Sequence, residues 1–342
     1  GSTWAPARFP PELSQTTFIR TEVVDWLERH GDVPFFLHAS FIRPHPPRRN
    51  PLGYHDLYSA EAVETFAGCE KREDEAAIHP LASMALRVPQ VGAPEDERES
   101  RQLRATYYGA QREVDDGLAA LFEYLESSGL SETTLVVVTS DHGEMGGDHW
   151  LLEKFGYWDE CFHVPLVVRD PTTDADPTRG LTVRAFSESV DVAPTILEWM
   201  GLEVPVQFDG WPLTPFLRGG TAPGHWRSEA HFEWDFRNPA YRFAEKFFSI
   251  PGDHCSLAVL RTADAKYVQF AAEADLLPPL LFDLGADGEQ VQNVAGRRDH
   301  AEMEIEMVQR LLRWRMRNQE RTLSNCYLRQ GHGPVWARDE WR

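Results

Sequence analysis

The chain has 342 residues, 42% apolar and 11% aromatic, which is enough for a sizeable core and too much for a disordered segment. Acidic residues outnumber basic ones 54 to 34, and the formal charge of −20 repels nucleic acid and anionic lipid, so neither is expected as a partner. The four cysteines show no C-x-x-C spacing, and no apolar stretch reaches the roughly 18 residues of a membrane span, so neither a disulfide framework, a zinc ribbon nor a membrane helix is expected.

In chain order, residues 16–30 predict an amphipathic helix, with Phe18, Val23, Val24, Trp26 and Leu27 near helical spacing and Gly31 able to end it. "VPFFLHASF" (33–41) predicts a buried strand. It runs into "IRPHPPRRNP", whose prolines exclude regular structure. Residues 70–100, charged and broken by Pro and Gly, predict a surface excursion, and residues 101–127 return to helical periodicity. "TTLVVVTS" (133–140) is continuous and β-branched, as a buried parallel strand would be, and "HVPLVVRDP" (163–171) predicts another.

Residues 191–201 predict a helix with Asp191 as N-cap, Pro194 in the first turn and Gly201 at the C-terminal end. After about residue 222 the texture changes: "AKYVQF" and "LLFDL" predict a small antiparallel sheet, and residues 300–318 a helix. The expected fold is α/β, a mostly parallel sheet flanked by helices with a small C-terminal antiparallel subdomain. The expected domains are 3–221 and 222–342.

Ligands in such folds gather at the carboxyl ends of strands. "TSDHGEMGGDHWLLEK" (139–154) puts Asp141 and His142 there, a hard oxygen and a borderline nitrogen able to share one divalent ion. The bland alternative is a helix-capping Asp141 and a solvated His142. An ammonium beside a metal makes sense only with an anion between them, so Lys154 points to an anionic ester, against the default of a surface lysine. His45, in "RPHPP", suits a general acid held in a stiff loop, against a structural loop histidine. His55, His79, His149 and His163 are read as structural. No G-x-S-x-G, G-x-G-x-x-G or P-loop is present, so α/β-hydrolase, dehydrogenase and kinase chemistries have no support.

Four segments resemble the sulfatase family of the alkaline phosphatase superfamily, on the branch of the phosphonate monoester hydrolases and arylsulfatases. They are "FFLHASFIRPHPP" (35–47), "VVVTSDHGEMGGDHWLLEKFGYWDE" (136–160), "VDVAPTILEWMGLEVP" (190–205) with "DGWPLTPFL" (209–217), and "LFDLGADGEQVQNVA" (281–295). The resemblance implies an alkaline-phosphatase-like core and a metal-dependent hydrolase of sulfate, phosphonate or phosphate esters. It implies Asp141 and His142 as metal ligands, Lys154 on the sulfuryl or phosphonyl group, and His45 as acid to the ester's bridging oxygen. Where many sulfatases carry Asn, this chain has His142, which favours Mn, Fe or Zn over Ca.

The family's N-terminal aspartate pair has no counterpart here, nor has the C-x-P-x-R motif whose Cys or Ser becomes the formylglycine nucleophile. The expectation is therefore a C-terminal portion of a longer enzyme, with formylglycine in the part not present and the chain alone inactive. The expected partners are that part, a small anionic ester and further copies of the chain, with the Arg-rich tail "RLLRWRMRNQERTL" a candidate arm. Two alternatives are a non-catalytic binding or scaffold protein of the same fold, and a two-metal phosphatase or phosphodiesterase of the superfamily. A cytoplasmic location is preferred to a periplasmic one. Two geometric expectations follow: the Asp141 and His142 ligand atoms within about 4 Å of each other, and a large bare apolar surface beside residues 34–41 or 133–140.

Overall fold

The computed structural model describes residues 5–205, 207–219, 223–224, 226–238, 240–318, 326–329 and 333–336. The chain divides into two compact units, Gly1–Thr173 and Asp174–Arg342, earlier than the change of texture near residue 222.

In the first unit, helix α1 (Gln15–His30) begins where the Ser14 hydroxyl accepts the Thr17 N–H at 3.1 Å and ends where the Gly31 N–H reaches Leu27 O. It buries only Thr16 and Leu27, and Phe18 stays largely exposed. Residues 34–41 alternate in exposure, but among the described residues 33–41 belong to no strand, which corrects the expected buried strand. An apolar run favours an extended conformation; without a paired neighbour its backbone forms no ladder.

Residues 70–100 are not a surface excursion. They form α2 (Arg72–Ile78) and α3 (Pro80–Ala85), which bury Glu75, His79, Leu81 and Met84. The charge pattern misled because Glu75 is one of the buried residues. Helix α4 (Glu97–Ser127) starts at Asp96, whose carboxylate accepts the N–H groups of Arg98 and Glu99. Its small residues admit close neighbours: the Asn50 amide reaches Thr106 O at 2.7 Å, and Gly109 lies so near Tyr54 O that a Cβ would stand 2.1 Å from it.

Strand β1 (Val136–Thr139) leads through the loop and the short helix α5 (Asp159–Phe162) into β2 (Leu166–Arg169). The two strands pair antiparallel, Val136 opposite Arg169 and Thr139 opposite Leu166, not parallel as the β-branched runs suggested. Composition favours a strand without fixing its direction; the return of the chain through residues 141–165 fixes it. Both strands are only half-buried. Phe36 and Val33 in residues 33–41 are 70% and 54% exposed, and Val167 on β2 is 61% exposed.

In the second unit, α6 (Val192–Trp199) has Asp191 before it, but the carboxylate does not cap the helix. It is fully buried and accepts the N–H groups of Glu188 and Trp211 and a two-pronged contact from Arg227, whose guanidinium lies over Trp211 and Trp226. The expected N-cap is thus a buried tie between loops. Helix α7 (Thr214–Arg218) follows. The antiparallel sheet, in spatial order, is β3 (Glu229–Asp235), β4 (Ser256–Thr262), β5 (Ala265–Phe270) and β6 (Leu280–Asp283), with α8 (Phe243–Phe248) between β3 and β4 in sequence. Helix α9 (Ala301–Asn318) lays Met307 and Leu311 on Leu260, Tyr267 and Leu281 of this sheet. Strands β7 (Cys326–Arg329) and β8 (Gly333–Trp336) pair antiparallel, while residues 319–323 of the Arg-rich tail lie outside the described residues.

Candidate active site

β1 ends at Thr139, so Asp141 and His142 stand just past its carboxyl end. Asp141 Oδ2 and His142 Nε2 are 3.4 Å apart, within the expected separation. His142 Nδ1 lies 2.9 Å from Gly143 O, a contact in which the carbonyl accepts, and Nε2 faces Asp141. The next residue must be small: a Cβ on Gly143 would stand 1.9 Å from Glu160 O, because the Gly143 N–H reaches Cys161 O at 2.7 Å.

The loop from 144 to 154 is held from both sides. Its hub is Glu144, whose Oε1 accepts the N–H groups of Gly146 (3.0 Å) and Glu153 (2.6 Å) and meets Arg48 Nη2 at 2.6 Å, both side chains buried. Arg104 from α4 donates to Gly146 O and Met145 O and pairs with Asp148 at 2.6 Å. His149 is wholly buried, its Nδ1 2.9 Å from the equally buried Glu75 and its ring 5.0 Å from that of Trp158. This agrees with its structural reading. Lys154 emerges at the end of the loop, its ammonium 3.2 Å from Glu153 Oε2 and 30% exposed.

His45 sits exposed in the turn 43–47, its Nδ1 2.8 Å from Pro46 O. Arg43 staples that turn by donating to Pro47 O (2.8 Å) and Arg49 O (2.6 Å). Burial lowers the Arg43 guanidinium below its ordinary value, and Glu113 opposes the shift. Arg48, three residues beyond His45, carries the Glu144 ion pair, so the histidine-bearing turn and the Asp141–Lys154 loop share one buried bridge.

Burial, with the Glu144 and Glu160 carboxylates adding to it, pushes the Cys161 thiol up to about 12, while the Phe155 N–H and the Lys154 ammonium oppose the shift. Burial and Glu144 likewise raise the Tyr107 phenol to about 12, and Arg48 and Arg104 oppose that. Both groups are therefore neutral at physiological pH, and neither is an activated nucleophile.

The Asp141–His142 oxygen–nitrogen pair fits a divalent ion at about 2.0–2.3 Å from each atom. It fits as part of a ligand set: among the described residues no group of three or more His, Cys, Asp or Glu side chains is arranged to hold an ion. Glu144 is committed to Arg48 and two backbone donors. Sequence reasoning missed Glu144, Arg48, Arg104 and Glu75. Glu144 stands beside Gly143 inside the quoted motif and Arg48 directly follows R-P-H-P-P, and both could have been suspected there. Arg104 and Glu75 lie in ordinary charged helices and gave no signal.

The chain matches the family model described as Sulfatase over residues 3–202, and that described as N-sulphoglucosamine sulphohydrolase, C-terminal, over residues 147–317. It is 42% identical over 335 residues to the multifunctional alkaline phosphatase superfamily protein PehA of Trinickia caryophylli, covering 95% of this chain and 64% of that protein. Among solved structures, it resembles the phosphonate monoester hydrolase of Agrobacterium radiobacter (TM-score 0.87, 38% identity) and that of Silicibacter pomeroyi (TM-score 0.88, 34% identity). Each match covers 98% of this chain and 66% of the other.

Proposed function

The chain belongs to the sulfatase family, and on that premise we propose that it bears the metal-holding, anion-holding and acid-supplying residues of a hydrolase of small sulfate, phosphonate or phosphate monoesters. The observation that carries this reading is the Asp141–His142 pair, 3.4 Å apart past the end of β1, on the loop that also presents Lys154. Asp141 and His142 hold one divalent ion, with Mn, Fe or Zn suiting the nitrogen donor. When bound, that ion supplies Lewis-acid polarisation of the ester's non-bridging oxygen.

Lys154 leaves Glu153 for the anionic oxygens of the substrate, where its charge offsets the charge that grows in the transition state. His45 donates a proton from Nε2 to the departing oxygen, its Nδ1 being occupied by Pro46 O. None of the four cysteines stands in a C-x-P-x-R context. Formylglycine is thus outside the roles assigned to these residues, and the 342-residue chain is expected to give no turnover by itself.

Two measurements test the reading. Calorimetric titration of the chain with Mn²⁺ or Zn²⁺ should give one site that Asp141→Asn and His142→Ala each weaken by at least about tenfold. In the enzyme carrying its nucleophile, Lys154→Ala should lower kcat/KM for an aryl phosphonate or sulfate by roughly 10²–10³. Metal affinity unchanged in both ligand variants would sink the assignment.

A further inference from the structure

His45 is exposed, so little packing around its ring fixes where its proton is delivered. A general acid acts only within hydrogen-bond reach of the leaving oxygen, and a misplacement of about 1 Å costs roughly a hundredfold in rate. The aim of the imidazole therefore depends on the turn that carries it.

Two ion pairs hold that turn, one on either side of His45. Beyond the histidine, Arg48 meets Glu144 of the loop after β1 at 2.6 Å. Before it, Arg43 folds back across the turn. Its Nη1 donates to Pro47 O at 2.8 Å, its Nη2 to Arg49 O at 2.6 Å, and its Nε stands 3.8 Å from Glu113 Oε2 on α4. A guanidinium is a rigid planar fork, so the carboxylate beside Nε sets the orientation in which the other two nitrogens reach the carbonyls. Those carbonyls, with the His45 N–H that Ile42 O accepts at 3.0 Å, define the course of the chain through His45.

Glu113 is not the residue that packing calls for. Its side chain is 3% exposed, on a helix that also buries Thr106, Gly109, Ala110, Gly117 and Leu121, none of them charged. Among the described residues neither of its oxygens accepts a hydrogen bond, and the nearby Arg43 charge is what compensates it. Asp116, three residues further along α4, takes Tyr54 and Arg112 instead. A buried carboxylate in that state is less stable than an apolar side chain of similar volume. Its negative charge has a use in holding Arg43.

We propose that Glu113 is a positioning residue: through Arg43 it keeps the turn in the shape that aims His45 at the leaving oxygen. The role rests on the reading of His45 as the proton donor. The need for Glu113 then rises with the basicity of the leaving oxygen, because a strongly basic oxygen departs only as it is protonated, whereas a weakly basic one departs as the anion.

The phenyl and 4-nitrophenyl esters of one phosphonate test this in the enzyme carrying its nucleophile, 4-nitrophenolate being the weaker base. His45→Ala should lower kcat by roughly 10²–10³ for the phenyl ester and by less than about tenfold for the other. Glu113→Gln keeps the shape and removes the charge. It should lower kcat at least about tenfold for the phenyl ester and no more than about threefold for the 4-nitrophenyl ester, with KM little changed. Arg43→Lys should behave alike, since an ammonium cannot bridge both carbonyls. Circular dichroism confirms that each variant is folded. In the 342-residue chain, Glu113→Gln should speed hydrogen exchange at the His45 and Arg49 amides at least about tenfold and leave the α1 amides unchanged. Equal losses for both esters, no loss, or exchange that is unchanged or raised throughout the chain overturns the proposal. A selective His45→Ala then leaves the proton-donor reading standing. If His45→Ala is itself unselective, that reading fails and the role of Glu113 falls with it.

Discussion

Asp191 and His149 are fully buried, and each meets a side chain far away in sequence, Arg227 for the first and Glu75 for the second. The His149 ring lies between the Glu75 carboxylate, 2.9 Å from Nδ1, and the Trp158 ring, a structural setting. Asp191 does not cap α6 with its side chain; its carboxylate accepts the Glu188 N–H in a capping box on the 3-10 turn 189–191, and also the Trp211 N–H and the Arg227 guanidinium from farther along the chain. Cys161 gives a prediction at this scale. An unfolded thiol loses its proton near pH 9, whereas burial in the folded chain holds it to about 12. Between those values the native state binds more protons than the unfolded state, so stability is intact below pH 9 and falls as the pH rises towards 12, by up to about 1.4 kcal/mol per pH unit. Urea unfolding midpoints measured between pH 8 and 10.5 should therefore decline less steeply for Cys161→Ala than for wild type. Equal slopes would mean that the thiol ionises freely in the fold.

At the scale of elements, the loop 141–154 owes its shape to a few buried groups and little to regular structure. Glu144 alone ties Gly146, Glu153 and Arg48. Removing it leaves the Arg48 guanidinium buried without its carboxylate, a change that costs roughly 3–5 kcal/mol. Glu144→Ala should show that loss in urea unfolding, and combining it with Arg48→Met should cost less than the sum of the two single changes, since the second removes the stranded charge. Additive losses would mean that the bridge contributes nothing as a pair. The motif revealed Asp141, His142 and Lys154 because their chemistry is unusual at that spacing. The struts beneath them were less legible, since a Glu and an Arg are common everywhere and only their burial distinguishes them.

Over the whole molecule, Phe36, Val33 and Val167 leave apolar area in solvent on the first unit, and α9 does so on the second. A side chain as exposed as Phe36 makes little of its own fold's energy, so Phe36→Ser combined with Val167→Ser should change unfolding free energy by no more than about 1 kcal/mol. The same pair should reduce binding of a hydrophobic dye. A large stability loss would place these side chains in the core after all. Among the described residues no helix is long and apolar enough to cross a membrane.

Helical spacing located α1 and α4, end signals located α6, the run 300–318 contained α9, and turn residues located two of the four strands of the small sheet: "AKYVQF" is β5 from end to end, and "LLFDL" contains β6. These are properties of neighbours a few residues apart, and they survive in any tertiary setting that buries one face. The family is equally local, since four short motifs carry it. What the sequence left open was every matter of long-range pairing. The antiparallel direction of β1 and β2, the unpaired state of residues 33–41 and the burial of Glu75 depend on which segment returns beside which. A β-branched run favours an extended backbone but does not specify its partner, and a carboxylate is buried only where an imidazole 74 residues away in sequence arrives to meet it.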